Sequence, residues 1–212
     1  MACAICGTRR PRRFCPGVRG DICTVCCGTE REVTVACPLD CEFLVEARRH
    51  DRLPDIDPEQ IPNRDIKVTE SFLGENEALL AFAGRTILEA SLNGSGVVDS
   101  DVREALAALI RTYRSLQSGV YYETVPANPL AASVHRTVQQ AVERFRQEER
   151  QRLGISKTRD ADVLGCLVFL ERLALDTANG RPRGRSFLSA LAGFQGGPPP
   201  AERSASSSLI IP

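Results

Sequence analysis

The sequence lacks any apolar run of about 18 residues, which excludes a membrane-spanning helix. It lacks a surplus of either charge: 27 basic and 27 acidic side chains cancel, which argues against a wholesale nucleic-acid coat or an acidic tail protein. The opening Met1-Ala2-Cys3 has no apolar h-region, so no secretory signal is expected and the compartment is read as the reducing cytoplasm. Lysine is nearly missing. Only Lys67 and Lys157 stand among the 27 basic residues, a bias typical of a GC-rich coding background, so arginine clusters carry less weight than elsewhere. The enzyme signatures G-x-x-x-x-G-K, H-E-x-x-H, G-x-S-x-G and G-x-G-x-x-G do not occur. Acidic residues are plentiful between Asp51 and Asp65, but on a proline-rich stretch rather than in the rigid, desolvated setting that catalytic carboxylates need. A non-enzyme with no catalytic residues is the expectation.

What the chain does have is cysteine, and it is unevenly placed. Eight of the nine cysteines lie between Cys3 and Cys41; Cys166 stands alone in an apolar stretch. Four segments follow: a cysteine-rich module over 1–50, an acidic Pro-rich linker over 51–67, a helical bundle over 68–194 and a tail over 195–212. Charge divides along similar lines: 8 basic against 6 acidic residues over 1–50, 5 against 12 over 51–110, and 14 against 9 over 111–212. Pro54, Pro58 and Pro62 make the linker extended.

The fold class expected is mainly α, with the small N-terminal module preceding an antiparallel bundle of four to five helices. Phe72, Leu73, Leu79, Leu80, Phe82, Ala83, Ile87 and Leu88 recur at helical spacing up to a C-cap at Asn93-Gly94. Val102 to Leu116 forms a second stripe, with Asp99 or Ser100 as its cap. Asn128-Pro129 reads as the N-cap and N1 of a third helix that Gly154 ends. The fourth starts near Asp160, is apolar on most sides up to Asn179-Gly180, and should be central. A short fifth covers Ser186 to Ala192. The tail cannot bury apolar area and should be disordered, yet it ends on the β-prone triplet Leu209-Ile210-Ile211, a candidate docking motif on a flexible tether.

The cysteine spacing is Cys3-x2-Cys6-x8-Cys15-x7-Cys23-x2-Cys26-Cys27-x9-Cys37-x3-Cys41. Two C-x2-C pairs and a C-x3-C pair form a metal signature, because such a turn presents both thiolates to one tetrahedral ion. Gly7 after Cys6 suits a positive φ, and Pro38 suits the first turn of a helix over Leu39–Arg49, which would set Cys37 and Cys41 on one face. A unit with so few large apolar residues needs metal or disulfides to fold. A reducing compartment favours metal over disulfides: two zinc ions per chain are expected, with a single zinc, an iron–sulfur cluster or, last, disulfides as the alternatives. Neighbours Cys26 and Cys27 point apart and so serve different ions, which suggests Cys3, Cys6, Cys23 and Cys26 for one site. Cys15, Cys27, Cys37 and Cys41 make the other.

The stretch Cys3-Ala-Ile-Cys6, Cys15-Pro16 and Cys23-Thr-Val-Cys26 resembles the opening of the HIT and MYND class of zinc fingers. The likeness covers residues 3–41. It departs from the family at Val18, where a further cysteine is usual, and at Cys41, where a histidine is common. What the resemblance implies is a treble-clef-like double site that mediates protein contacts. The helical part resembles no family with a known activity.

Other candidates have plainer readings beside the functional ones. Arg9, Arg10, Arg12, Arg13 and Arg19 could bind phosphate or nucleic acid, but only Phe14 is interleaved with them. Arg181, Arg183 and Arg185 suit a helix C-terminus. His50 is a spare ligand or an exposed residue, His135 a boundary residue, and Cys166 a core thiol. Tyr121-Tyr122 packs over the bundle end or meets a partner. The function expected is an intracellular zinc-binding adaptor that contacts a protein partner, and the alternative is a nucleic-acid-binding regulator.

Overall fold

The computed structural model describes residues 2–51, 56–94 and 96–194. The Leu209-Ile210-Ile211 triplet and the rest of the tail lie outside them. The mainly α class holds. Among the described residues are eight helices and one two-stranded sheet.

The N-terminal module is built on a hairpin. Strand β1, Arg13–Cys15, pairs antiparallel with β2, Gly20–Ile22, in the register Arg13↔Ile22 and Cys15↔Gly20. The turn closes on Arg19 at φ 54°. Helix α1, Thr24–Glu30, follows directly, and α2, Glu42–Arg48, closes the module. The expected helix over Leu39–Arg49 therefore starts later. Cys41 is its N-cap and Cys37 precedes it, so the two cysteines do not share a helical face.

Four long helices and one short one form the bundle: α4 (Glu77–Asn93), α5 (Asp99–Gln117), α6 (Pro129–Leu153), α7 (Asp160–Asp176) and α8 (Ser186–Phe194). A short helix α3, Glu70–Glu75, precedes α4. The single stripe expected from Phe72 to Leu88 thus breaks at Asn76, whose amide still donates to the Phe72 carbonyl at 3.1 Å. Asn128 caps α6 by accepting from Leu130 N at 3.0 Å, Pro129 takes N1, and Gly154 ends the helix at φ 77°. These three positions are as expected, because each answers to local backbone geometry. The cap of α5 differs. Val98 holds the N-cap position and the Asp101 carboxylate accepts from its amide at 2.9 Å. Asp99 turns instead to the first turn of α8 and accepts from Phe187 N and Leu188 N at 2.9 and 3.2 Å.

Helix α7 is the central one; its residues from Asp162 to Val168 are all buried, and Leu170 to Ala174 again. The core also takes Ile87, Leu106, Leu109, Val134, Val138, Phe187 and Leu188. The packing of α5 and α6 departs from an antiparallel arrangement. Asn128, at the start of α6, donates to Asp101 at the start of α5 at 2.6 Å, and Arg146 near the far end of α6 lies in the field of Tyr113 near the far end of α5. Helices α5 and α6 therefore run the same way. The connection Ser118 to Ala127 returns along α5, where Ser115 Oγ accepts from Tyr122 N and Thr112 Oγ1 accepts from Thr124 N. Tyr121 and Tyr122 on this return strap are 63% and 69% exposed, so they do not pack over the bundle end.

The second half of the expected linker is fastened to the bundle. Arg172, 1% exposed on α7, donates to the carbonyls of Pro62, Asn63 and Ile66. Arg114 on α5 grips Asp65 with both terminal nitrogens and donates from Nε to Asn63 Oδ1.

Candidate metal centre

The chain from Cys3 to Cys6 forms a knuckle. Gly7 N donates back to Cys3 O at 2.8 Å with Gly7 at φ 66°, a conformation glycine adopts without a Cβ penalty. Ala4 N donates to Asp21 O at 2.9 Å, which lays the knuckle across β2. Strand β2 runs straight into Cys23, the N-cap of α1, and Cys26 sits in the first turn of that helix. The hairpin thereby carries the second C-x2-C pair to the first.

The result is a cluster in which the Sγ atoms of Cys3, Cys6, Cys23 and Cys26 all lie within 4.8 Å of one another. Cys3, Cys23 and Cys26 are buried and Cys6 is half-buried. This is the donor set and the crowding that a tetrahedral thiolate site requires. Outer-shell hydrogen bonds point at the sulfurs. Cys23 N donates to Cys3 Sγ at 3.2 Å, Cys26 N to Cys23 Sγ at 3.4 Å, and the Thr8 hydroxyl to Cys6 Sγ at 3.5 Å. The Thr8 hydroxyl, helped by the amides of Arg9 and Thr8, pulls the Cys6 thiol down to about 5. Burial, with the neighbouring sulfurs Cys23, Cys6 and Cys3, pushes Cys26 up to about 12. A thiol held up by desolvation and like-charge crowding is one that a dication would deprotonate.

The other four cysteines are arranged more loosely. Cys15 ends β1, Cys27 follows Cys26 in α1, Cys37 lies in the loop and Cys41 caps α2. All four line one small cavity of about 20 Å³, together with Arg13, Pro38 and Phe43. Among the described residues, these four do not form a compact donor group like that of the first four. Arg13 stacks 3.7 Å above the Phe43 ring and donates to Cys27 Sγ at 3.7 Å.

The five arginines expected as an anion patch divide. Arg13 is half-buried as just described, and Arg9 lies against the first cluster, where Cys23, Cys6 and Cys26 raise its pKa. Arg10, Arg12 and Arg19 are exposed. His50 is exposed beside Glu46 and joins no donor cluster among the described residues, and Cys166 is 1% exposed in the bundle core. His135 is buried at 2%, not at the boundary, because α6 packs against both α4 and α5.

Glu32 has no counterpart in any sequence motif. It is 1% exposed at φ 53°, between α1 and the Val35 turn. Arg48 Nη2 and Arg185 N donate to its Oε1, and Asn179 Nδ2 donates to its Oε2. Arg183 N donates to its carbonyl, while Arg181 and Arg183 side chains reach the carbonyls of Arg31 and Thr34. The basic loop after α7 is therefore a clamp on the cysteine-rich module, not a set of cations at a helix end. No helix among the described residues is long and apolar enough to cross a membrane. No family model, no curated protein and no solved structure matches this chain.

Proposed function

We propose that the chain is a non-enzymatic, intracellular zinc-binding adaptor. The observation that carries this is the four-sulfur cluster of Cys3, Cys6, Cys23 and Cys26. Four thiolates fill a tetrahedral sphere and leave no position for an activated water, so the ion's work is structural. The order of knuckle, hairpin and helix supports the treble-clef-like reading. A second zinc belongs to Cys15, Cys27, Cys37 and Cys41. Their common cavity supports it, and so does the adjacency of Cys26 and Cys27, one in each set.

The module so held presents Phe14 at 61% and Val25 at 49% exposure, apolar groups suited to a protein partner. Native mass spectrometry tests the metal: two zinc ions per chain are expected, and a metal-free protein with unreactive cysteines would overturn the reading. Absorbance near ~400 nm would replace zinc with an iron–sulfur cluster. Co-purification from the native host, compared between the intact chain and a Phe14→Ser variant, tests the adaptor role.

A second reading is favoured by one observation. Arg10, Arg12 and Arg19 are exposed on the same hairpin unit as Phe14. That is a minimal face for a phosphate backbone with one stacking ring. A gel shift with random duplex and single-stranded nucleic acid that weakens with salt supports this regulator reading, and absence of binding at low salt removes it.

A further inference from the structure

A cleft of about 470 Å³ opens between α5, α7 and the strap around Pro58–Gln60. The cleft is open to solvent and has room for a small molecule. One wall is the face of α5 that carries Ser100, Arg103, Glu104 and Ala107, spaced to lie side by side. Glu171 and Leu175, one turn apart on α7, form the second, and Gln60 and Pro62 the third. The strap is a fixed wall. Arg172 holds three of its carbonyls, Arg114 holds Asp65, and Asn63 sits at φ 56° with its side chain locked between Arg114 and Glu171.

Glu171 is the unusual member. It is 8% exposed, yet only its Oε2 is used, accepting from Asn63 Nδ2 at 2.7 Å. Its Oε1 takes no hydrogen bond among the described residues, and the residue lines the cleft. Burial raises the pKa of this carboxyl, against which Asn63 and the charges of Arg103, Arg172 and Arg111 hold it down. Positioning the strap does not require a charge here, because a glutamine carbonyl would accept from Asn63 equally well. A carboxylate held rigidly by one oxygen, with the other open at the cleft, is a ready acceptor for a cationic group. Arg103 is exposed on the same cleft and supplies the opposite pole.

We propose that this cleft binds a small organic molecule carrying an ammonium or guanidinium group at one end and a carboxylate at the other, the cation on Glu171 and the anion on Arg103. Ala107, Pro62 and Leu175 give the short aliphatic spacer its apolar contact. The site is independent of the cysteine module and of the metal reading.

Calorimetric titration of the full chain, as purified, with 4-aminobutyrate and 4-guanidinobutyrate tests the proposal, with butylamine and butyrate as single-pole controls. At least one two-pole compound is expected to bind saturably, one per chain, more tightly than either control. Glu171→Gln is expected to weaken that binding by roughly 10-fold or more while the melting temperature stays unchanged. Arg103→Ala, at an exposed position, is expected to reduce the two-pole compound to the level of butylamine. No saturable binding of either two-pole compound up to ~10 mM would overturn the site. So would binding indifferent to Glu171→Gln; if that variant fails to fold, indifference to Arg103→Ala overturns it instead.

Discussion

Glu32 and Arg48 form a buried ion pair, Oε1 to Nη2 at 2.8 Å, in which the carboxylate is 1% exposed and the guanidinium 12%. The same carboxylate takes Asn179 and the Arg185 amide, so one side chain ties α1, α2 and the loop after α7 together. Removing one partner of a buried pair leaves the other charge uncompensated. Among the described residues Arg48 Nε and Nη1 lack hydrogen-bond partners, so Glu32 supplies the hydrogen bond that holds this guanidinium. Glu32→Ala is expected to destabilise the chain by about 3–5 kcal/mol, read in urea unfolding monitored at 222 nm. An unchanged midpoint would mean that the pair is not a fastening.

Metal removal follows from the same contact. The bundle has its own core, so strong chelation is expected to leave most of the helical circular-dichroism signal. The residues that grip Glu32 and the carbonyls of Arg31 and Thr34 lose their partners, however, and the bundle's melting temperature should fall with the metal. Chelation that removes the ion yet leaves the melting curve superimposable would show the two parts to be energetically separate.

Gly165 on α7 packs against Phe72. A Cβ at this position would collide with the ring of Phe72, the residue that anchors α3 to the bundle. Gly165→Ala, although it favours helix, is expected to destabilise by about 1–3 kcal/mol through overpacking. Thermal denaturation of Gly165→Ala beside the double variant Phe72→Leu/Gly165→Ala checks the cause: the smaller side chain should restore part of the loss.

Asp99 carries a pH dependence. Burial pushes its carboxyl up to about 6, opposed by the Phe187 and Leu188 amides and by Arg48. A raised native pKa means the folded state holds a proton that the unfolded state has released. The contribution of Asp99 to stability is thus full below about pH 4 and declines as pH rises to about 6, by on the order of 2–3 kcal/mol. Against Asp99→Asn, whose side chain does not titrate, the wild type is expected to lose ground between about pH 4 and 6.5 in paired melting curves. A constant difference across that range would refute the shift.

The sequence by itself determined what short-range geometry controls. The C-x2-C spacings and the placement of Gly7 already specify two thiol pairs. The Asn128-Pro129 start and Gly154 stop of α6 depend only on hydrogen bonds within one helical turn. The apolar run from Val163 to Leu175 could only be satisfied at the centre. Where a helix stops inside a continuous stripe, as at Asn76, periodicity carries no signal, and the break was not legible. Nor was the late start of α2, which takes Cys41 as its cap and leaves Cys37 outside. Tertiary structure alone decided which groups meet across the chain. Glu32 and Asn179 are 147 positions apart, and the partners of Asp99 lie 88 and 89 positions on. The parallel run of α5 and α6 and the cleft at Glu171 have the same origin. A buried charge takes whichever donors the packed helices bring within about 3 Å, and that choice depends on how helices dock, which no local spacing records.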